Sequence, residues 1–437
     1  MVSTSRISTS KSSTSKSSTS EPIRALFVVP AFYRNGAVAL CVSLAEQLGR
    51  RSDISVEVLA TRRLKVQSRL PNDPIQSTII RKRSKLARRL ALFTQLVKSS
   101  FKADVVLLTS EKGLALPTLA ALILRKPTLA IVQNNLSRTK SDYPQSKGAQ
   151  LFRHWAYSYA QAVVCTSQAL TRLAETKTYR KKVTAISNGV DVERVRSLAK
   201  LNPQATGSLS FLSEDVPYIV GIGRLCKQKG FDILIRAHAA VRQRGYAHRL
   251  VLVGEGEGLA NLTAIAQRLN VEDSVIFAGY LENPYPVLAK ASLFCSSSRY
   301  EGFGLVIAEA AALGVPTIAT DCVSGPSEIL ADGQYGELIA PDSVVTMSTA
   351  IEKHFEHPQR LRAKARTSAK DANRLSLETC AQAYSDLIKR CLAGTGVVTT
   401  SGLQSESHMA KLQESQSPVD TPVDTPVESL QEVGSRK

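Results

Sequence analysis

The chain has 437 residues, 43% of them hydrophobic and 5% aromatic, enough apolar material for two packed cores at the usual ~100–200 residues per domain. Its net charge of +19 is unevenly placed: residues 22–200 carry 31 Lys and Arg against 10 Asp and Glu, whereas residues 201–437 carry 22 against 26. The first half suits an anionic partner, but so few aromatics and no helix-turn-helix or zinc-finger pattern set nucleic acid aside in favour of anionic lipid or a phosphorylated substrate.

Residues 1–21 are Ser, Thr and Lys repeats without the apolar centre of a secretion signal, and they read as a disordered tail. Strand-like apolar runs follow at 24–29, 55–60, 105–109, 128–132, 162–166 and 183–186, with a helix expected at 37–50. The most apolar stretch, 105–124, is interrupted by Glu111 and Lys112, so no membrane span is expected. Residues 22–200 thus read as one strand–helix series, and 201–216, with Pro203, Gly207 and several serines, as a linker. A second series occupies 217–374, with strands expected at 218–222, 250–253, 275–277, 293–296 and 317–319. A helix at 375–392 closes the folded part, and 393–437, with its duplicated Thr-Pro-Val-Asp, reads as a second disordered tail. Strand–helix alternation in two series implies an α/β protein of two doubly wound domains facing across a cleft, with ligands outside the carboxyl ends of the strands. The seven cysteines have neither zinc-ligand nor redox spacing, which suits a reducing cytosol.

Chemistry concentrates in the second series. After the strand at 293–296, a loop carries Glu301, Gly302, Phe303 and Gly304, and a helix is expected from Leu305 to Leu313 with Glu309 inside it. A helix N-terminus presents unpaired amides and a partial positive charge that favour phosphate, and the glycines admit a ligand close to the backbone. Glu309 is surrounded by Val306, Ile307, Ala308 and further alanines, an unusual place for a carboxylate without a partner. A carboxylate on a solvated helix face is the plainer alternative. The loop after 218–222 holds Arg224, Lys227 and Lys229, a set able to neutralise a diphosphate and stabilise it as a leaving group. A solvated basic turn accounts for either cation alone and less well for the set. Gly254 and Gly279 mark two more strand-to-loop turns, the second between Phe277 and Tyr280, where ordinary turn chemistry competes with a base-binding role.

The order Gly-Arg-x4-Lys-Gly, Val-Gly-x-Gly, Phe-x-Gly-Tyr and Glu-Gly-Phe-Gly-x4-Glu closely resembles glycosyltransferase family 4, over about residues 22–392 and most strongly over 217–341. The resemblance implies the GT-B fold and a retaining transfer of sugar from a nucleotide diphosphate, with neither cofactor nor metal required. It places Arg224 and Lys229 on the donor diphosphate, Glu309 on the ribose hydroxyls, and Glu301 on the donor sugar beside the amides of Phe303, Gly304 and Leu305. Phe277, Gly279, Tyr280 and Gly254 fall near the nucleobase and donor. The block from Asp321 to Leu330 looks like a subset that builds bacterial surface polysaccharides and lipid-linked oligosaccharides, often from UDP-activated N-acetylgalactosamine, galactose or glucose. The first domain then receives the acceptor, with Asn35, Gly36 and Asn134 on its side. Here Asn35-Gly36 stands where relatives often have Gly-Gly, and Gln133-Asn134-Asn135 where many have a His. That second departure leaves a non-catalytic sugar-binding or membrane-scaffolding protein as the alternative. Other GT-B chemistries, such as an epimerase or a phosphorylase, find less support, and no pyridoxal lysine is suggested. Arg81, Lys82, Arg83, Lys85, Arg88 and Arg89 open an amphipathic helix with Leu86, Leu90, Phe93 and Val97 at helical spacing. Such a helix can lie on an anionic membrane surface, or be an ordinary core-facing helix with a wet basic side.

Overall fold

The computed structural model describes residues 21–30, 36–61, 76–79, 85–109, 114–133, 147–175, 182–201, 209, 212, 216–322 and 324–395. Its first series runs β1 (Ile23–Val29), α1 (Gly36–Gly49), β2 (Ile54–Ala60), β3 (Gln76–Ile79), α2 (Lys85–Lys102), β4 (Val105–Leu108), α3 (Ala115–Ile123), β5 (Thr128–Val132), α4 (Lys147–Tyr159), β6 (Ala162–Cys165), α5 (Gln168–Glu175) and β7 (Val183–Ala185). These strands form one parallel sheet in the order β3-β2-β1-β4-β5-β6-β7. The near-continuous apolar runs of β1, β4 and β5 follow from burial on both faces. One face packs under α1, and the other under α2, α3, α4 and α5.

After α6 (Val192–Ala199) comes the second series: β8 (Tyr218–Ile222), α7 (Phe231–Gln243), β9 (Arg249–Val253), α8 (Leu259–Arg268), β10 (Val275–Gly279), α9 (Tyr285–Lys290), β11 (Leu293–Ser296), α10 (Leu305–Leu313), β12 (Thr317–Thr320), α11 (Pro326–Ile329) and β13 (Glu337–Ile339). These strands form a second parallel sheet, ordered β10-β9-β8-β11-β12-β13. Chain order reverses between β8 and β11, so a crevice opens there at the carboxyl edge. The helices α12 (Val344–Glu356), α13 (Pro358–Lys370) and α14 (Leu377–Leu392) complete the described chain. Both sheets each gain one short strand beyond those expected from sequence, β3 and β13. Gln-Ser-Thr-Ile and Glu-Leu-Ile are too short and too polar to announce themselves by pattern.

The passage between the two layers is narrow. Val190 pairs with Ser376, and Gly189 lies so close to the returning chain that a Cβ there would meet the Leu377 backbone at 2.5 Å. Past this point α6 packs Val195 into the second core, while α14 carries Leu377, Ala381, Tyr384 and Ile388 back into the first. The crossing therefore lies near Gly189, ahead of the serine-rich stretch at 201–216.

Two fully buried histidines meet behind α7, His238 on the helix itself and His248 just before β9. His238 Nδ1 meets His248 Nε2 at 2.9 Å, His238 Nε2 meets Ser274 Oγ at 2.9 Å, and His248 Nδ1 meets the Tyr246 carbonyl at 3.0 Å. The Tyr246 carbonyl can only accept, so His248 donates to it and His238 donates to His248, while the one Ser274 proton is shared between His238 and the Val271 carbonyl, 3.0 Å away. Burial pushes His238 down to about 2 and His248 down to about 4. The unfolded chain therefore binds protons at these sites below about 6.5, where the folded chain does not. Stability is expected to fall as pH drops from about 6.5 to 4, by up to ~1.4 kcal/mol per pH unit for each histidine. Urea unfolding across that window checks this, and replacing both residues with Gln should flatten the slope.

Candidate active site

The two loops that carry the sequence motifs leave β8 and β11, the strands that flank the reversal in the second sheet. After β8 the chain passes the exposed Arg224 and makes a single 3-10 turn over Lys227–Lys229, ended by Gly230 in the left-handed region at φ 62°. Gly230 is required by space as well as by conformation, since a Cβ there would meet the Ser297 carbonyl at 2.1 Å. After β11 the chain runs through Ser297 to Gly304, also left-handed at φ 97°, which opens α10. The nine residues of α10 end at Gly314, bounding the helix as the sequence predicts.

The loops are fastened to each other. Lys229 Nζ donates to Glu301 Oε1 at 2.6 Å, and Ser298 Oγ donates to the same oxygen at 2.6 Å. Ser297 Oγ donates to the Lys229 carbonyl, Gln228 Nε2 to the Tyr300 carbonyl, and the Arg299 amide to the Gln228 carbonyl. Arg299 also forms a two-pronged pair with Asp232 at 2.9 and 2.8 Å and reaches Asp342 at 2.6 Å. Behind Glu301, Ser324 Oγ donates to its carbonyl, and Gly325 presses on the Phe303 carbonyl so closely that a Cβ would lie 1.8 Å away. The Glu301 side chain is only 8% exposed and the Lys229 side chain 21%. A buried pair of this kind costs about 3–5 kcal/mol when one partner is deleted, because the other charge stays behind.

Glu309 lies on a helix that is apolar all round, and its carboxylate is half-buried. Its partner is Tyr285 at the start of α9, whose hydroxyl donates to Oε1 at 3.0 Å. Burial pushes Glu309 up to about 7, and the tyrosine hydrogen bond pulls in the opposite direction. The same proximity and burial raise Tyr285 well above the ordinary phenol range, so it remains a donor. Near neutrality Glu309 is therefore poised between a carboxylate that accepts two hydroxyl hydrogens and an acid that does not.

The remaining sequence candidates divide. Leu305 is half-buried at the helix start, and Phe303 turns its ring into the core, leaving only its backbone for a ligand. Phe277 is partly buried, its ring packed on the cluster beneath α7 and α8, because in a strand alternate side chains face opposite sides. Gly279 keeps open space beside its Cα at φ 70°, and Tyr280 is 39% exposed next to it, so these two form the accessible ledge. Gly254 spends its amide on the Gly279 carbonyl at 2.8 Å and sits 2.0 Å, measured to a Cβ, from the Gly223 carbonyl. Its contribution is to let the β8 and β9 loops close on each other. Ser298, Tyr285 and Arg299 escaped the sequence reading. Ser298 stands three residues before Glu301 and so was within reach of a motif argument, whereas nothing local ties Tyr285 to Glu309.

The first layer touches this site. Thr166, after β6, donates to the Gly302 carbonyl at 3.5 Å. The Glu328 carboxylate accepts from the Ala169 amide at 3.2 Å, at the N-terminus of α5. Asn35 and Asn134 lie outside the described residues, as do Arg81, Lys82 and Arg83. Gly36 opens α1, exposed, at φ 76°. Gln133 is buried and donates from Nε2 to Cys41 Sγ at 2.6 Å, so its amide is turned toward α1.

Two parallel doubly wound sheets, with the loops of Lys229 and Glu301 at the reversal point of the second, define a GT-B protein. The family model for glycosyl transferases group 1 matches residues 210–372, and that for glycosyltransferase family 4 matches residues 34–194. The chain is similar to glycosyltransferase family 4 in both of its domains. It is 30% identical over 207 residues to the Campylobacter jejuni N-acetylgalactosamine-N,N'-diacetylbacillosaminyl-diphospho-undecaprenol 4-alpha-N-acetylgalactosaminyltransferase, covering 47% of this chain and 53% of that protein. It is 30% identical over 229 residues to the lipopolysaccharide core biosynthesis glycosyltransferase LpsE of Rhizobium meliloti, covering 52% and 63%. The match thus spans between about half and two-thirds of these curated relatives' length. Among solved structures, Anabaena HepE in complex with UDP-glucose superposes with a TM-score of 0.70 at 22% identity, over 84% of this chain and 99% of that one. This likeness establishes the fold.

A nucleotide whose ribose is gripped by ionised Glu309 is expected to bind more weakly as pH falls below about 7, by up to tenfold per unit. Titration of UDP between pH 6 and 8.5 checks this. Glu309→Gln should lose affinity and flatten the dependence, and Tyr285→Phe should move the midpoint upward.

Proposed function

We propose that the protein is a retaining glycosyltransferase that takes a hexose or N-acetylhexosamine from a UDP-sugar and gives it to a lipid-linked or polysaccharide acceptor. The convergence of Lys229, Glu301 and Glu309 at the reversal point of the second sheet carries this reading. Lys229 paired with Glu301 ahead of α10, and Glu309 further along that helix, suit an elongated ligand with a diphosphate, a sugar and a ribose. The relatives named for lipid-linked and lipopolysaccharide products support the acceptor class.

In this reading the donor diphosphate lies against Arg224, Lys229 and the first amides of α10, with its ribose on Glu309 and its base on the ledge at Gly279 and Tyr280. Arg224 and Lys229 neutralise charge as the bond between the anomeric carbon and the diphosphate oxygen breaks. The acceptor hydroxyl enters on the same face, and the departing phosphate oxygen takes its proton, so the configuration is kept. Glu301 holds the donor sugar, and its ion pair with Lys229 keeps both side chains in place before the donor arrives. Because side chains neutralise the diphosphate, transfer proceeds with metal chelated. Residues 22–200 present the acceptor and 217–374 the donor, and the protein works at the cytoplasmic face of the membrane.

The test combines purified protein, a chelator, UDP-glucose, UDP-galactose or UDP-N-acetylgalactosamine, and a polyprenyl-diphosphate-linked saccharide. The expected product has the anomeric configuration of the donor by NMR, and Lys229→Ala lowers turnover about 10²–10³-fold. An inverted product would sink the retaining mechanism. Binding without turnover for any donor would favour the non-catalytic alternative, to which the inward turn of Gln133 lends its one structural support.

A further inference from the structure

The outer surface of three neighbouring helices in the first layer has an unusual composition. α3 packs between α2 and α4, and all three cover the same face of the sheet. Their sequences contain no Asp or Glu at all. Eight of the fourteen large apolar side chains exposed among the described residues lie on them. Leu90 and Phe101 point outward from α2 at 61% and 71% exposure, Ile123 from α3 at 58%, and Leu151, Phe152 and Trp155 from α4 at 71%, 54% and 36%. The cations Arg89, Lys98 and Lys102 are exposed along α2, and Arg125 follows α3.

This differs from the surface expected from sequence. Helical spacing puts Leu86, Leu90, Phe93 and Val97 on one face, but among the described side chains the core side of α2 is Leu92, Phe93, Leu96 and Val97. Leu90 faces away from it, in register with Phe101. The exposed apolar material therefore extends across α3 to α4.

We propose that this three-helix face is the surface by which the protein lies on an anionic lipid bilayer, with Phe152 and Trp155 of α4 entering the headgroup boundary. The inference rests on the transferase reading for its purpose, and on composition alone for its partner. Apolar side chains interleaved with cations, and no carboxylate among them, suit an interface that is apolar below and anionic above. A tryptophan with one edge open is suited to that depth. A second copy meeting the same face would set cation against cation, with no carboxylate on either side to receive it. The arrangement also aims the site. Helices that follow parallel strands run back from the carboxyl edge, so the first turns of α4, with Leu151 and Phe152, lie toward the cleft. An acceptor held in the bilayer would reach the cleft from this edge.

Trp155 is the chain's single tryptophan, so the whole protein reports on its own face without a label. It is mixed with vesicles of phosphatidylcholine, or of phosphatidylcholine and phosphatidylglycerol at about 3:1. The expected result is flotation with the anionic vesicles, a blue shift of Trp155 emission, and quenching by brominated lipid. The triple variant Phe101→Glu/Leu151→Glu/Phe152→Glu, all exposed positions, should partition at least tenfold more weakly while UDP affinity is unchanged. Flotation with unchanged emission, a triple variant that floats as before, or no flotation at all would each overturn the assignment. So would a dimer, seen by sedimentation and lost in the triple variant, which would give the face to a second copy. Turnover on a water-soluble acceptor is scored separately, so failure here is distinguishable from failure of the transferase reading. If the triple variant misfolds, the wild-type emission result decides alone.

Discussion

The contact between Lys229 and Glu301 holds together what the fold only brings near. Each residue sits on a loop that leaves a different strand, and the two strands are adjacent only because chain order reverses between β8 and β11. A lysine and a glutamate this sheltered are unfavourable singly, so each fixes the other, and Ser298 takes up more of the carboxylate's accepting capacity. The glycines around them are determined by the same closeness. Gly230 and Gly325 lie against carbonyls of the partner loop, in conformations that a side chain would oppose. The result is a cationic and an anionic group held in one geometry before any ligand arrives.

Glu309 is set by a different balance. Its helix is apolar throughout because it is buried on nearly every side, and that burial raises the carboxyl toward neutrality. The Tyr285 hydroxyl partly offsets this, and the two opposing effects leave the group near its switching point. One site thus holds two carboxylates in different condition: Glu301 paired with a cation, Glu309 with a neutral donor. Charge on the first layer is organised otherwise, spread on an outer face with apolar side chains rather than gathered in a crevice.

Much of this was legible in the sequence. Continuous apolar runs marked most strands of both sheets, since parallel strands covered on both faces have no polar side to show. Gly304 and Gly314 bounded α10, and an isolated Glu309 among alanines signalled a buried carboxylate. What escaped depends on contacts between distant segments. Tyr285 precedes Glu309 by 24 residues, and only the packing of α9 beside α10 joins them. Backbone pairing takes the Gly254 amide, and strand alternation packs the Phe277 ring on the core, contacts that motif position alone does not show. On α2, a period near 3.6 allowed two adjacent stripes, and the structure buries the one that leaves Leu90 outside.

The measurement closest to the central claim is calorimetric titration of UDP into the protein without added metal, alongside Glu309→Ala and the pair Lys229→Met/Glu301→Gln. The account predicts one site per chain, lost or weakened at least tenfold in both variants while each still unfolds cooperatively. If the protein binds no nucleoside diphosphate at millimolar concentration, or binds UDP equally well in both variants, the two loops do not form a donor site and the account is wrong.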